Sequence, residues 1–260
     1  MKDSLAESLG AVMKRRQSQY AYYIEDLKSG DLCAKDEKRV VPSASLIKLV
    51  VLGEIMRRVR EGSLSLSQRV SIKESDKVPF SILTLLDTGN TYTLADVITL
   101  MIVQSDNTAA NILIEIAGMD KVNEFSRSLG LKDTSIARLM MDFKAREEGR
   151  ENYTSAADMG AFLEALYRKS ILDEASSAFM LDVMKKQLDT SMMMLFIPDE
   201  TVVAHKTGEL DKLDHEAAIV FSDKCDYIFV ALVWDAPDNN TARLALGEMS
   251  KIAYDFFTKR

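Results

Sequence analysis

The chain is poor in the residues that staple or interrupt a fold. Its 260 residues include 2 cysteines, 4 prolines, 11 glycines, 1 tryptophan and 2 histidines. Two cysteines as far apart as Cys33 and Cys225 do not make a disulfide scaffold, and two free buried thiols are the expected state. So few prolines and glycines exclude long disordered linkers. Two histidines and two cysteines make no convincing metal cluster, so no metal or organic cofactor is expected. No stretch approaches the ~18 consecutive apolar residues of a membrane-spanning helix. The first residues, Met1 to Glu7, carry no apolar run resembling a signal peptide. The expectation is a cytoplasmic protein as written, and a secreted or periplasmic one if a leader has been removed. An excess of basic charge is also lacking. The net charge is −7, which disfavours nucleic acid and obliges any anionic ligand to find a local positive pocket.

What is present is an ordinary soluble composition, 47% hydrophobic and 28% charged. A chain of this length buries roughly 70–75% of its unfolded surface, enough for a substantial core. Leu5, Leu9, Val12 and Met13 recur at helical spacing, and Tyr20–Leu27 and Leu32–Lys35 read as strands around a Lys28–Asp31 turn. The middle is mostly helical, with helices expected over 45–61, 94–104, 107–117, 120–129, 155–169 and 173–187. Strands return at Val202–Thr207, Glu216–Phe221 and Tyr227–Trp234, the last nearly all apolar as a strand buried on both faces is. A final helix over 240–258 takes Asn240 as its N-cap. The run Met192–Met194 reads as core filler.

Strands at both ends with helices between them predict an α+β fold. One antiparallel sheet, built from both chain ends and flanked by the terminal helices, accompanies an all-helical lobe. The boundaries expected for this single two-lobed catalytic domain are about 1–44 and 200–260 for the sheet lobe and about 45–199 for the helical lobe. The groove between lobes is the natural place for a site. A monomer is the default.

Three short strings carry chemistry. Ser45-Leu46-Ile47-Lys48 opens an apolar helix with Ser43 as the expected N-cap, and no other S-x-x-K occurs in the chain. Backbone N–H groups in a first helical turn are unpaired and favour an oxyanion. Lys48, three residues on, shares the face of Ser45 and acts as its base if burial or a second cation lowers its pKa. Ser105-Asp106-Asn107 lies between two helices. Asp106 is suited to capping, Ser105 to passing a proton to a leaving nitrogen, and Asn107 to holding Lys48 and a substrate carbonyl. Lys206-Thr207-Gly208 ends a strand. Lys206 adds a positive charge, Thr207 a donor for a carboxylate, and Gly208 a place where a ligand backbone approaches the strand edge. The N–H of Glu209 would join that of Ser45 as an oxyanion donor.

Together, in this order, the strings resemble the class A-like serine β-lactamase family over essentially the whole chain. The flanks Pro42-Ser43-Ala44-Ser45, Ser105-Asp106-Asn107-Thr108-Ala109-Ala110-Asn111 and His205-Lys206-Thr207-Gly208 match that family's style. The resemblance implies a β-lactamase/transpeptidase-like fold and a serine hydrolase that opens β-lactams or related acyl substrates through an ester on Ser45. It implies no cofactor.

The loop from Arg138 to Asn152 departs from the family. Class A enzymes carry Glu-x-x-x-Asn there, and the pair holds the water that frees the ester. Here no Glu follows Arg138-Leu139 directly. Glu148 and Asn152 keep the spacing later in the loop, and Glu151 and Asp142 are other candidates for a water-holding carboxylate. The family's arginine for a substrate carboxylate is also missing, leaving His215 or Lys212 as substitutes. Phe80 is a candidate aromatic wall. The alternatives that stay open are an esterase, a D-Ala-D-Ala peptidase, and a binder that is acylated once without turnover.

Overall fold

A computed structural model describes residues 2–259. Helix α1 (Lys2–Arg16) leads into β1 (Gln19–Asp26) and β2 (Leu32–Lys35), and a short β3 (Val41–Pro42) precedes a 3-10 turn (Ala44–Leu46). Then come α2 (Ile47–Arg60), β4 (Arg69–Ser71), β5 (Thr91–Thr93), α3 (Leu94–Val103), α4 (Asn107–Ala117), α5 (Met119–Ser128) and α6 (Phe143–Glu147). The chain continues through β6 (Tyr153–Thr154), α7 (Ala156–Tyr167), α8 (Glu174–Met184), β7 (Val202–Leu210), β8 (Leu213–Phe221), β9 (Tyr227–Trp234) and α9 (Asn239–Thr258). Among these residues no helix is long and apolar enough to cross a membrane.

The fold is the expected α+β arrangement. Five antiparallel strands in the order β2-β1-β9-β8-β7 join both chain ends in one sheet. Strand β9 explains how the layers hold. Phe229, Ala231 and Val233 face the core formed with α1 and α9, whereas Ile228, Val230 and Leu232 face the helical side. Period-two alternation in a strand with apolar residues at every position thus feeds two cores at once. Each fully buried large apolar side chain contributes on the order of 1.5–3 kcal/mol. Met192 and Met193 pack into the core on the α9 side.

Several local expectations are corrected. The helix expected from residue 45 is a 3-10 turn followed by α2, and Ser43 does not cap it, because its hydroxyl donates to the Ala44 carbonyl at 3.2 Å. Helix α9 is capped by Asp238, whose extended backbone lets its carboxylate accept from the Thr241 N–H at 2.7 Å, and not by Asn240. Strands β7 and β8 run closer together than expected and meet in a tight turn, with Lys212 at φ 56°. The pairs β3–β6 and β4–β5 carry too few residues to show a period in the sequence. Cys33 is buried as expected, whereas Cys225 is half-buried.

Candidate active site

Ser45 lies in the 3-10 turn ahead of α2, between the buried Ala44 and Leu46. β7 is an edge strand, and its Gly208 presses on this turn. A Cβ built on Gly208 would stand 3.1 Å from Ala44 Cβ, 3.3 Å from the Ser43 carbonyl oxygen and 3.3 Å from Ser45 N. The missing side chain therefore makes room for the backbone of Ser43 and Ser45. Gly208→Ala is expected to shift the turn by a few tenths of an ångström, slowing acylation by about 10- to 100-fold. Reaction rate and Tm measured together check this. A Tm loss large enough to account for the rate would contradict it.

Lys48 is fully buried in α2 and donates to three acceptors: Ser105 O at 2.6 Å, Ser105 Oγ at 3.1 Å and Asn107 Oδ1 at 2.8 Å. Burial, with the Lys206 charge adding to it, lowers its pKa well below that of a free lysine, and Asp106 opposes the shift. Lys206 is equally buried and reaches the same hydroxyl from β7, with Nζ 2.9 Å from Ser105 Oγ and 2.8 Å from the Thr207 carbonyl. Burial brings it down to about 8, against the pull of Glu216 and Asp189. The Ser105 hydroxyl is thus held between two lysines of depressed basicity.

The local backbone is forced into this geometry. Ala44 (φ 46°), Phe80 (φ 57°), Ser105 (φ 52°) and Met141 (φ 64°) lie in the left-handed region and all line one pocket of about 620 Å³. Such residues cost on the order of 1–3 kcal/mol each, and their clustering at one pocket marks a functional site. Asp106 supports Ser105 from below by capping α4 through the Ala109 N–H (2.8 Å) and holding the Leu83 N–H (3.0 Å). Asn107 gives one amide proton to the Pro79 carbonyl at 3.1 Å and keeps one.

Ser45, Ser105, Asn107, Thr207, Glu209 and Phe80 line this pocket, and Lys48 and Lys206 touch it through Ser105. Phe80 is 80% exposed and forms the rim. His215 does not line the pocket. It is buried in β8, with Nε2 donating to the Pro42 carbonyl at 3.0 Å and Nδ1 placed 3.2 Å from the Val233 N and 2.9 Å from the Asp214 carbonyl. It anchors β3, the strand that leads into the turn holding Ser45. Lys212 points outward from the β7–β8 turn.

Burial pushes His215 down to about 4, so below a pH of about 6.5 this imidazole is protonated less in the folded protein than in the unfolded chain. Its contribution falls as pH drops from about 6.5 to about 4, a loss of up to about 3 kcal/mol. Asp214, pushed up by burial to about 7, acts with the opposite sign in that window. The expected result is therefore a difference: wild type loses more Tm on acidification than His215→Gln. Parallel Tm curves would contradict it.

The loop carboxylates are turned away from the pocket. Glu148 is exposed and pairs with Arg150 at 2.5 Å. Glu151 is buried, with Oε1 2.7 Å from both Arg138 Nε and Nη2 and Oε2 3.2 Å from Arg146 Nε. Asp142 caps α6 through the Ala145 N–H. Asn152 accepts from the Ala137 and Arg138 N–H groups and donates to the Arg138 carbonyl, closing the neck of the loop. The wall that faces the pocket consists of Arg138, Met140, Met141, Phe143, Arg146 and Asn152.

Three participants were not singled out from sequence. Asn111 clamps Met140, accepting its N–H at 2.7 Å and donating to its carbonyl at 3.1 Å. The available signal was an amide one helical turn after Asn107 on a buried face. Asp189 and Asn239 also line the pocket, and no local pattern marks either.

A model of the beta-lactamase enzyme family matches residues 4–257. A β-lactamase of Rhodobacter capsulatus is 29% identical over 174 residues, which are 65% of this chain and 59% of that protein. One of Bacteroides uniformis is 26% identical over 244 residues, 87% of this chain and 82% of that protein. The chain thus spans less than two thirds of the Rhodobacter relative's length. The solved β-lactamase of Sphaerobacter thermophilus superposes with a TM-score of 0.92 at 24% identity, covering 99% of this chain and 98% of its own. A mutant of PBP-A, solved as an acyl-enzyme complex with penicillin G, gives 0.91 at 24% identity, with 100% and 98% covered. These structural likenesses concern the fold.

Proposed function

Because this chain belongs to the beta-lactamase enzyme family, we propose that it is a serine acyl hydrolase that opens β-lactams or related amides and esters through an acyl-enzyme on Ser45, and that it releases the ester slowly. The observation carrying the first half is the Ser105 hydroxyl held at 3.1 Å and 2.9 Å between Lys48 and Lys206, beside Ser45 in one pocket.

Neutral Lys48 takes the Ser45 proton as Oγ bonds the carbonyl carbon. The N–H groups of Ser45 and Glu209 receive the oxyanion. On collapse the carbon–nitrogen bond breaks. Ser105 gives its proton to the leaving nitrogen and regains one from Lys48, so the proton lost by Ser45 ends on the product. Lys206, charged below a pH of about 8, holds Ser105 Oγ in place.

Slow release is favoured by a separate observation. Glu148, Glu151 and Asp142 are committed to Arg150, to Arg138 and Arg146, and to the α6 cap. Water meets the ester without a carboxylate base from that wall. A chromogenic cephalosporin at high concentration tests the function. About one product per protein should appear quickly, followed by a slow steady phase, with neither in Ser45→Ala. Product formation by Ser45→Ala would overturn the assignment.

A further inference from the structure

Two guanidinium groups stand on the loop wall of the pocket and share one carboxylate. Arg138 is buried and fully engaged, with Nε and Nη2 each 2.7 Å from Glu151 Oε1 and Nη1 donating to the Leu139 carbonyl at 3.1 Å. Arg146 is held differently. Its side chain is 45% exposed, and its partner is Glu151 again, with Nε 3.2 Å from Oε2. That oxygen accepts no hydrogen bond from any described residue, so the contact is a loose ion pair. The Nη edge of Arg146 is therefore left for a ligand.

The wall keeps a net positive charge, because Glu151 balances one guanidinium and not both. The other acids of the loop do not offset it. Glu148 pairs with Arg150, and Asp142 caps α6. Glu147 and Lys144 are exposed, opposite in sign and off the pocket lining. Lys48 and Lys206 are taken up at Ser105.

Arg146 and Phe143 are three residues apart on α6, so they share a face, and both line the pocket. Phe143 is half exposed and, with Met141 and Phe80, gives an apolar surface on the same lining as the guanidinium. Ser105, which protonates the leaving group, is bonded to Lys206 of β7. The leaving group thus lies toward β7, and the acyl part lies along the loop wall.

We infer that Arg146 reads a carboxylate at the far end of the substrate's acyl part. This rests on the acyl-enzyme reading above and narrows its substrates to acyl donors with an apolar body and an anionic tip. A guanidinium matches a carboxylate with two parallel charge-assisted hydrogen bonds, which a neutral tip cannot replace.

Phenyl thioesters test this without a β-lactam ring. Ser45 Oγ bonds the acyl carbon, the carbon–sulfur bond breaks, and thiophenol leaves with the Ser45 proton. The monothioesters of adipic and suberic acid are compared with those of hexanoic and octanoic acid, which match them in length and lack the terminal carboxylate. At one length or both, the carboxylate should speed the appearance of the Ser45 adduct by at least ~10-fold. That preference should shrink as salt is raised, and disappear in Arg146→Gln. Equal or slower reaction of both carboxylates in the wild-type protein overturns the inference without needing the variant to fold. So does an unchanged preference in an Arg146→Gln protein of normal Tm. Adducts without the preference overturn this inference alone, and no adduct from any thioester or from benzylpenicillin overturns the acyl-enzyme reading along with it.

Discussion

Replacing Lys48 with arginine is expected to slow acylation of Ser45 by about 10³-fold, within the range that a positioned general base supplies. Arginine keeps the positive charge and can still donate toward Ser105 O and Asn107 Oδ1, where Lys48 now donates at 2.6 Å and 2.8 Å. It cannot be deprotonated, so it cannot take the Ser45 proton. A lysine serving only as a structural cation would tolerate the change with a far smaller loss of rate. The pH profile separates the two roles further. With neutral Lys48 required, the wild-type rate rises through its depressed pKa, and it declines above a pH of about 8 as Lys206 loses its charge. The rising limb should disappear in the arginine variant. Single-turnover acylation rates across pH, with Tm to show the variant folded, check both statements.

The second large effect concerns the other half of the reaction. Met140 follows Arg138-Leu139 directly, lines the pocket, and is clamped on both backbone groups by Asn111. Met140→Glu would place a carboxylate on a rigid part of the wall, and burial would raise its pKa toward the useful range for a base. Release of the Ser45 ester is expected to accelerate by about 10²-fold or more. The polar group costs about 1–3 kcal/mol of stability at a buried site. Met140→Gln has nearly the same shape and no base, so it should leave the ester's lifetime unchanged. Equal lifetimes for the glutamate and glutamine variants would mean that a missing carboxylate is not what slows release.

The residues of the proposed acylation site were legible in sequence because each sits on a local element. A lysine three residues from a serine at a helix start shares its face whatever the rest of the fold does. Ser105-Asp106-Asn107 is tied to the start of α4, with Asp106 as its cap. The sheet was legible because Tyr227–Trp234 is a short run, apolar at every position and rich in β-branched and aromatic residues, as a strand covered on both faces is.

His215 was misread because the start of β8 was misjudged. The strand begins at Leu213, and the alternation that follows aims the ring at Pro42 rather than at a ligand. Glu148 kept a suggestive spacing to Asn152, but the loop winds into α6 and leaves Glu148 as its exposed C-cap. Glu151 is drawn to two arginines, one at the neck of the loop and one on α6. Asp189 reaches the pocket from the segment between α8 and β7, where only tertiary packing decides what it faces. Residues set by long-range contacts carry no period or cap to reveal them.

The built half of this site is expected to form an ester that the other half releases slowly. The most direct test is the intact mass of the protein followed through time after mixing with a penicillin and then removing the excess. One adduct per chain is expected, located on Ser45, that outlasts its formation by a wide margin and is absent from Ser45→Ala. Full substrate consumption with no adduct accumulating at any time would contradict it.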